Sequence, residues 1–256
     1  MEVSSPRPPL SILCFGDSLT EGYSQFGLSM TPYSKTLKTI LLDTNAWSKS
    51  KIEIVTDGVS GDRVVHGQFK DRMDKQILVQ ILTLFASARA LLITHFRSTT
   101  NLEPLDTGST TSKPLYNYTL FLGGTNDLGW GLPASEIWSS IKTMTAIPLR
   151  HNSKLVLFTV PECGVKNRDL DARRDELNRL IKADDREGVY VFDLHSAMPY
   201  HSMSEQEREE VWDDGLHFTP RGYEVMGEFV TRRMLEIIES EEKQGNGVST
   251  VIQEVD

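Results

Sequence analysis

The stretch Ser11-Ile12-Leu13-Cys14-Phe15-Gly16-Asp17-Ser18-Leu19-Thr20-Glu21-Gly22 decides the fold. It opens with a short, mostly apolar run, the pattern of a strand covered on both faces. The run stops abruptly at Gly16-Asp17-Ser18. In an open α/β sheet, ligands gather outside the carboxyl ends of the strands, near a topological switch point. A serine at that place faces a crevice, and nearby backbone N–H groups can point at a bound anion.

Outward from this strand, similar runs recur at Ile52–Thr56, Thr119–Leu122, Leu155–Val160 and Val189–Phe192. Helical patterns separate them, at Tyr33–Leu42, Gly67–Ala88, Ser135–Ile147, Asp169–Asp185 and Pro220–Glu239. Short buried strands alternating with helices predict one doubly wound α/β domain on a five-stranded parallel sheet. In the last helix Tyr223, Met226, Phe229, Val230, Met234 and Ile237 recur near helical spacing, with Thr219 as N-cap and Pro220 in the first turn. Two segments fall outside the pattern. Arg97–Pro114 is polar and rich in Ser and Thr and reads as an irregular loop. Ser240–Asp256 is acidic with little apolar face and reads as a disordered tail, which leaves 10–239 as the folded domain. The mostly apolar stretch Ile77–Phe96 carries a central Arg89, which on insertion scales costs roughly 2.5–3.5 kcal/mol in a bilayer; it is expected to be a buried helix, not a membrane span.

Chemistry enters at the strand ends. A serine hydroxyl is a weak nucleophile unless a base is positioned beside it. Asp213-Asp214-Gly215-Leu216-His217-Phe218-Thr219-Pro220 supplies one just before the last helix. A loop with Asp-x-x-His can fold so that the carboxylate accepts the ring Nδ1–H, leaving Nε2 to face the serine. The third strand ends in Leu122-Gly123-Gly124-Thr125-Asn126-Asp127, and an Asn amide there can donate to a tetrahedral oxyanion. After the second strand, Asp57-Gly58-Val59-Ser60-Gly61-Asp62 lets Gly61 bring its backbone N–H to the same oxygen.

These four pieces, in this order, resemble the SGNH (GDSL) hydrolase family: Gly16-Asp17-Ser18, Gly61, Gly124-Thr125-Asn126-Asp127 and Asp214-Gly215-Leu216-His217. The resemblance covers roughly Leu10 to Glu239. It implies a three-layer αβα, flavodoxin-like fold and a shallow, open active site. It further implies Ser18 as nucleophile, His217 as base held by Asp214, and an oxyanion hole of Ser18, Gly61 and Asn126. The sequence departs from the family over Thr83–Pro114, which is longer and less regular than the usual helix and turn. Three functions fit: hydrolysis of carboxylic esters, with short acyl esters or acetylated sugars as substrates; acyl transfer by the same triad; or a binding protein whose site the 83–114 insertion blocks.

Other readings of the same residues are weaker. Asp213 is the rival orienter to Asp214. His195, after Asp193, is the best decoy base. His66, His95, His151 and His201 have no partner motif. Asp17 and Asp127 read as braces for their turns, and Asp62 and Arg63 as solvated or loop-bracing residues. The 256 residues carry a formal net charge of −9, which argues against nucleic acid, since phosphate backbones need clustered Lys and Arg. No G-x-S-x-G elbow, P-loop or metal-ligand cluster occurs, so no cofactor or metal is implied. The two cysteines, Cys14 and Cys163, form no framework, and the N-terminus has no signal-peptide pattern. An intracellular, cytoplasmic protein acting on a small-molecule ester, without membrane insertion, is the expectation.

Overall fold

The computed structural model describes residues 7–44, 52–98 and 115–252. In chain order the elements are β1 (Leu10–Gly16), α1 (Ser18–Glu21), β2 (Tyr23–Ser24), β3 (Ser29–Met30), α2 (Tyr33–Asp43), β4 (Ile52–Gly58), α3 (Phe69–Ser98), β5 (Tyr118–Leu122), α4 (Thr125–Gly129), α5 (Ala134–Arg150), β6 (Lys154–Phe158), α6 (Arg168–Lys182), β7 (Val189–Phe192), α7 (Leu194–Ala197), α8 (Glu205–Val211) and α9 (Pro220–Ile252). The main sheet has the order β4-β1-β5-β6-β7 with every pairing parallel. The chain leaves β1 for one neighbour and returns to the other side for β5. The switch point therefore lies at the carboxyl end of β1, where Ser18 follows.

Side-chain alternation along β1 builds the layers. Ile12 and Cys14 pack into one core with Tyr33, Leu37 and Leu41 of α2 and with Tyr223, Met226, Val230 and Met234 of α9. Leu13 and Phe15 pack into the other with Phe69, Met73 and Ile77 of α3, Ile137 and Ile141 of α5, and Leu177 and Ile181 of α6. This is the three-layer αβα arrangement on a five-stranded parallel sheet. Cys14 lies fully inside, where burial pushes its thiol up to about 12; Cys14 and Cys163 are both free thiols.

Three expectations meet a different outcome. The helix expected at Gly67–Ala88 does not stop near Ala88: α3 runs to Ser98, so Arg97 and Ser98 are helical, while 99–114 of the expected loop lies outside the described residues. Nor is that helix buried all round. Phe69, Met73 and Ile77 recur at four-residue spacing and face the core, whereas Leu78, Val79 and Leu82 are exposed, because only one stripe of a helix can meet a sheet. Among the described residues no helix is long and apolar enough to cross a membrane. Finally, α9 continues to Ile252, through most of the segment expected to be a disordered tail. Ser240-Glu241-Glu242-Lys243-Gln244 contains good helix formers, and Glu241 is anchored by Tyr118 Oη and Tyr190 Oη, each donating at 2.6 Å.

Candidate active site

Ser18 begins α1, and Asp17 caps that helix by accepting the Leu19 amide at 3.0 Å. The cap and the strand end leave the Ser18 side chain at the crevice, 5 % exposed as a residue. His217 Nε2 lies 2.9 Å from Ser18 Oγ. On the other side of the ring, Nδ1 lies 2.8 Å from Asp214 Oδ2. The Asp214 Oδ1 atom accepts the amides of Leu216 and His217, at 3.0 and 2.8 Å. The Asp-x-x-His spacing is thus closed into a turn by the carboxylate itself, with Gly215 at φ 79°. Burial pushes the Asp214 carboxyl up, but the bonds from the His217 ring and from both amides outweigh it, and the net direction is below the usual carboxylate range.

Asp213 takes no part in this chain. Its Oδ2 accepts the Gln25 amide at 2.5 Å, tying the last loop to the turn between β2 and β3. Tyr23 packs its ring against His217, with centroids 4.7 Å apart, and Tyr223 Oη holds the Tyr23 carbonyl at 2.8 Å. No motif marks Tyr23: its partner is almost two hundred residues away in the chain.

The other two expected residues approach from neighbouring strand ends. Gly124, at φ 108°, turns the chain sharply off β5, and Asn126 Nδ2 donates to the Asp62 carbonyl at 2.8 Å. Gly61 has φ 76° and lies beside Asp62 on the loop after β4. Asp127 locks the two loops together: its carboxylate oxygens accept the Val64 and Val65 amides at 3.0 and 2.9 Å. Burial raises the Asp127 carboxyl above its ordinary value. Asp17 and Asp127 are therefore turn braces, and Asp62 braces its own loop through Arg63 N and Gln68 N, at 2.9 and 2.7 Å. Arg63 lies 4.7 Å over the ring of the exposed Trp130. A cavity of about 460 Å³ opens next to Asn126 and Leu216, walled by Leu128, Trp130, Val160 and Pro161.

The decoy histidine is elsewhere. The last strand ends at Phe192 as expected, and Asp193 caps α7 and pairs with Lys182 at 2.7 Å. His195 lies on that short helix and lines a separate polar cavity with Asp175 and Lys182. Among the described residues no group of three or more His, Cys, Asp or Glu converges to hold a metal ion.

Comparison with known proteins shows the family and the fold. Residues 14–225 match the GDSL-like Lipase/Acylhydrolase family. Among solved structures, the lipase/acylhydrolase from Enterococcus faecalis is similar at 18% identity and a TM-score of 0.59, over 88% of this chain and 95% of that one. A lipolytic protein of the G-D-S-L family from Veillonella parvula DSM 2008 is similar at 18% identity and a TM-score of 0.58, over 87% and 97%. A catalytic mutant of an acetylxylan esterase from Geobacillus stearothermophilus is similar at 15% identity and a TM-score of 0.55, over 91% and 95%. No curated protein sequence matches. With the family matched over most of its length, the chain belongs to the GDSL-like lipase/acylhydrolase family of SGNH hydrolases.

Proposed function

We propose that this hydrolase cleaves carboxylic esters through an acyl-enzyme on Ser18. The observation that carries the reading is the continuous chain Ser18 Oγ–His217 Nε2–Nδ1–Asp214 Oδ2, with links of 2.9 and 2.8 Å. His217 takes the Ser18 proton as the hydroxyl oxygen attacks the carbonyl carbon. The Ser18 and Gly61 amides and the Asn126 side chain hold the oxyanion, and His217 then returns the proton to the departing alcohol. Water, deprotonated by the same ring, attacks the acyl-enzyme and releases the acid. Asp214 fixes the tautomer and stabilises the imidazolium.

The cavity beside Asn126 supports a small acyl group: about 460 Å³ falls near the low end of small-molecule sites, roughly 300–1,000 Å³. Short acyl esters and acetylated sugars fit this open, shallow place. The blocked-site alternative draws little support from α3. This helix starts beside the Gly61 loop and, at about 1.5 Å per residue, its 30 residues carry Ser98 more than 40 Å away along its axis.

The test is release of p-nitrophenol from acetate, butyrate and decanoate esters by the wild type and by Ser18→Ala at neutral pH. Wild-type turnover that disappears in the variant is expected, with acetate and butyrate favoured over decanoate. A folded wild type no faster than Ser18→Ala on any of the three would refute the proposal.

A further inference from the structure

One buried cation joins the two sides of the proposed oxyanion hole. Arg72, on the first turn of α3, is 11 % exposed in its side chain, and its guanidinium lies over Phe15 at 4.6 Å and Phe69 at 5.2 Å. Its Nη2 donates to the Gly16 carbonyl at 3.0 Å and to the Asp57 carbonyl at 2.6 Å, which are the ends of β1 and β4. Nε and Nη2 also donate to Asp57 Oδ1, at 3.0 and 2.7 Å. Nη1 donates to Asp62 Oδ2 at 2.6 Å. A planar fork with five donors is used here to its geometry, which an ammonium cannot reproduce.

What the fork holds matters for catalysis. Gly16 is two residues before Ser18, and Asp62 directly follows Gly61. Asp62 also offers its carbonyl to Asn126 Nδ2 at 2.8 Å. On the other side of Gly61, Ser60 donates its amide to Glu21 Oε2 at 2.9 Å, and its hydroxyl donates to the same oxygen. Gly67 closes the loop: a Cβ there would lie 2.0 Å from the Arg63 carbonyl and 2.6 Å from Asp62 Oδ1. Gly61 itself has no atom within 4 Å of a Cβ position, so nothing packs on it from above. Its place depends on its neighbours being held.

We infer that Arg72 is a positioning residue that, through Asp62 and Gly16, sets the spacing of the Ser18 amide, the Gly61 amide and the Asn126 side chain as one oxyanion hole. The inference rests on the ester-hydrolase reading above. It touches neither the Ser18–His217–Asp214 chain nor the cavity wall, so its loss lowers kcat without changing substrate affinity or the titration of the base.

The experiment compares wild type, Arg72→Lys and Asp62→Asn on p-nitrophenyl acetate across pH, with Glu241→Ala, at the opposite end of the sheet, as the control for lowered stability. Arg72→Lys keeps the charge and loses the fork. Asp62→Asn keeps the acceptor for the Arg63 and Gln68 amides but turns an N–H₂ toward Arg72. Each is expected to lower kcat by about 10- to 100-fold, short of the roughly 10²–10³ for removing one oxyanion donor outright. KM should stay within about twofold and the pH midpoint of kcat should not move, while the control keeps its kcat. Folded variants with wild-type kcat, or a loss carried by KM, overturn the inference. If Arg72→Lys does not fold, Asp62→Asn alone decides it by the same criteria. A wild type without Ser18-dependent turnover would instead be the failure of the ester-hydrolase reading.

Discussion

Asp17 stands directly before Ser18 with no exposed surface, and burial raises its carboxyl to about 7. One oxygen accepts the Leu19 amide; the other, Oδ2, has no hydrogen-bond partner within ordinary distance. A carboxyl whose folded value lies above its unfolded one favours folding while protonated. Its contribution is complete below about pH 4 and is lost as pH rises toward 7. At about 1.4 kcal/mol per unit, ionising it in the folded chain costs on the order of 4 kcal/mol. Asp17→Asn keeps the acceptor for Leu19 and should remove this slope. Urea unfolding at pH 5, 6 and 7.5 checks it: the wild type should lose stability relative to the variant across that window, and parallel curves would exclude Asp17 as the source. At the same scale the two aspartates of the last loop separate. Asp214→Asn should lower kcat/KM by roughly 10²–10⁴-fold, because the ring loses its orienting acceptor. Asp213→Asn should cost far less, since Asp213 holds Gln25 and not the ring. Equal losses in the two variants would contradict that division.

The turn between β2 and β3 is where an element bears on the site. Gln25, Phe26 and Gly27 all have positive φ, at 53°, 54° and 85°, and Phe26 and Leu28 are each 88 % exposed. A non-glycine residue in the left-handed region is held there against a cost of about 1–2 kcal/mol. Phe26 buries nothing that would offset it; the Asp213–Gln25 bond and the Tyr23–His217 packing hold the turn from outside. Phe26→Gly should therefore leave thermal stability unchanged or raise it, by up to about 1 kcal/mol. A clear drop in the melting midpoint would show that the Phe26 ring makes a contact that matters. This hairpin was not legible beforehand, because two-residue strands have no periodicity. The five core strands were, because each is a short, mostly apolar run bounded by Gly, Asp or Pro. The Asp214–His217 loop was legible for a related reason: the two residues are three apart, so their bond is local. Arg72 was not, because its acceptors Gly16, Asp57 and Asp62 come from three places in the chain and only the fold brings them together.

Across the whole molecule, the proposed site and the anchoring of α9 lie at opposite ends of the sheet. Ser18, Gly61 and Asn126 follow the carboxyl ends of β1, β4 and β5. At the opposite end Glu241 of α9 accepts the hydroxyls of Tyr118 and Tyr190 at 2.6 Å and pairs with Lys154, holding the far part of α9 on β5, β6 and β7. Tyr118 is buried, so Glu241→Ala leaves its hydroxyl without an acceptor and should destabilise the fold by about 1–3 kcal/mol. Activity at a temperature where the variant is folded should be unchanged, and denaturant unfolding paired with the ester assay reads both. A stability loss accompanied by a matching fall in kcat would mean the two ends are coupled. The central claim, that Ser18 is a nucleophile activated by His217, is tested most directly by intact-mass measurement after incubation with a fluorophosphonate. The account predicts a single adduct mapping to Ser18, absent in Ser18→Ala and formed about 10²-fold more slowly or worse in His217→Ala. A folded wild type that takes up no adduct, or an adduct that persists in Ser18→Ala, would contradict it.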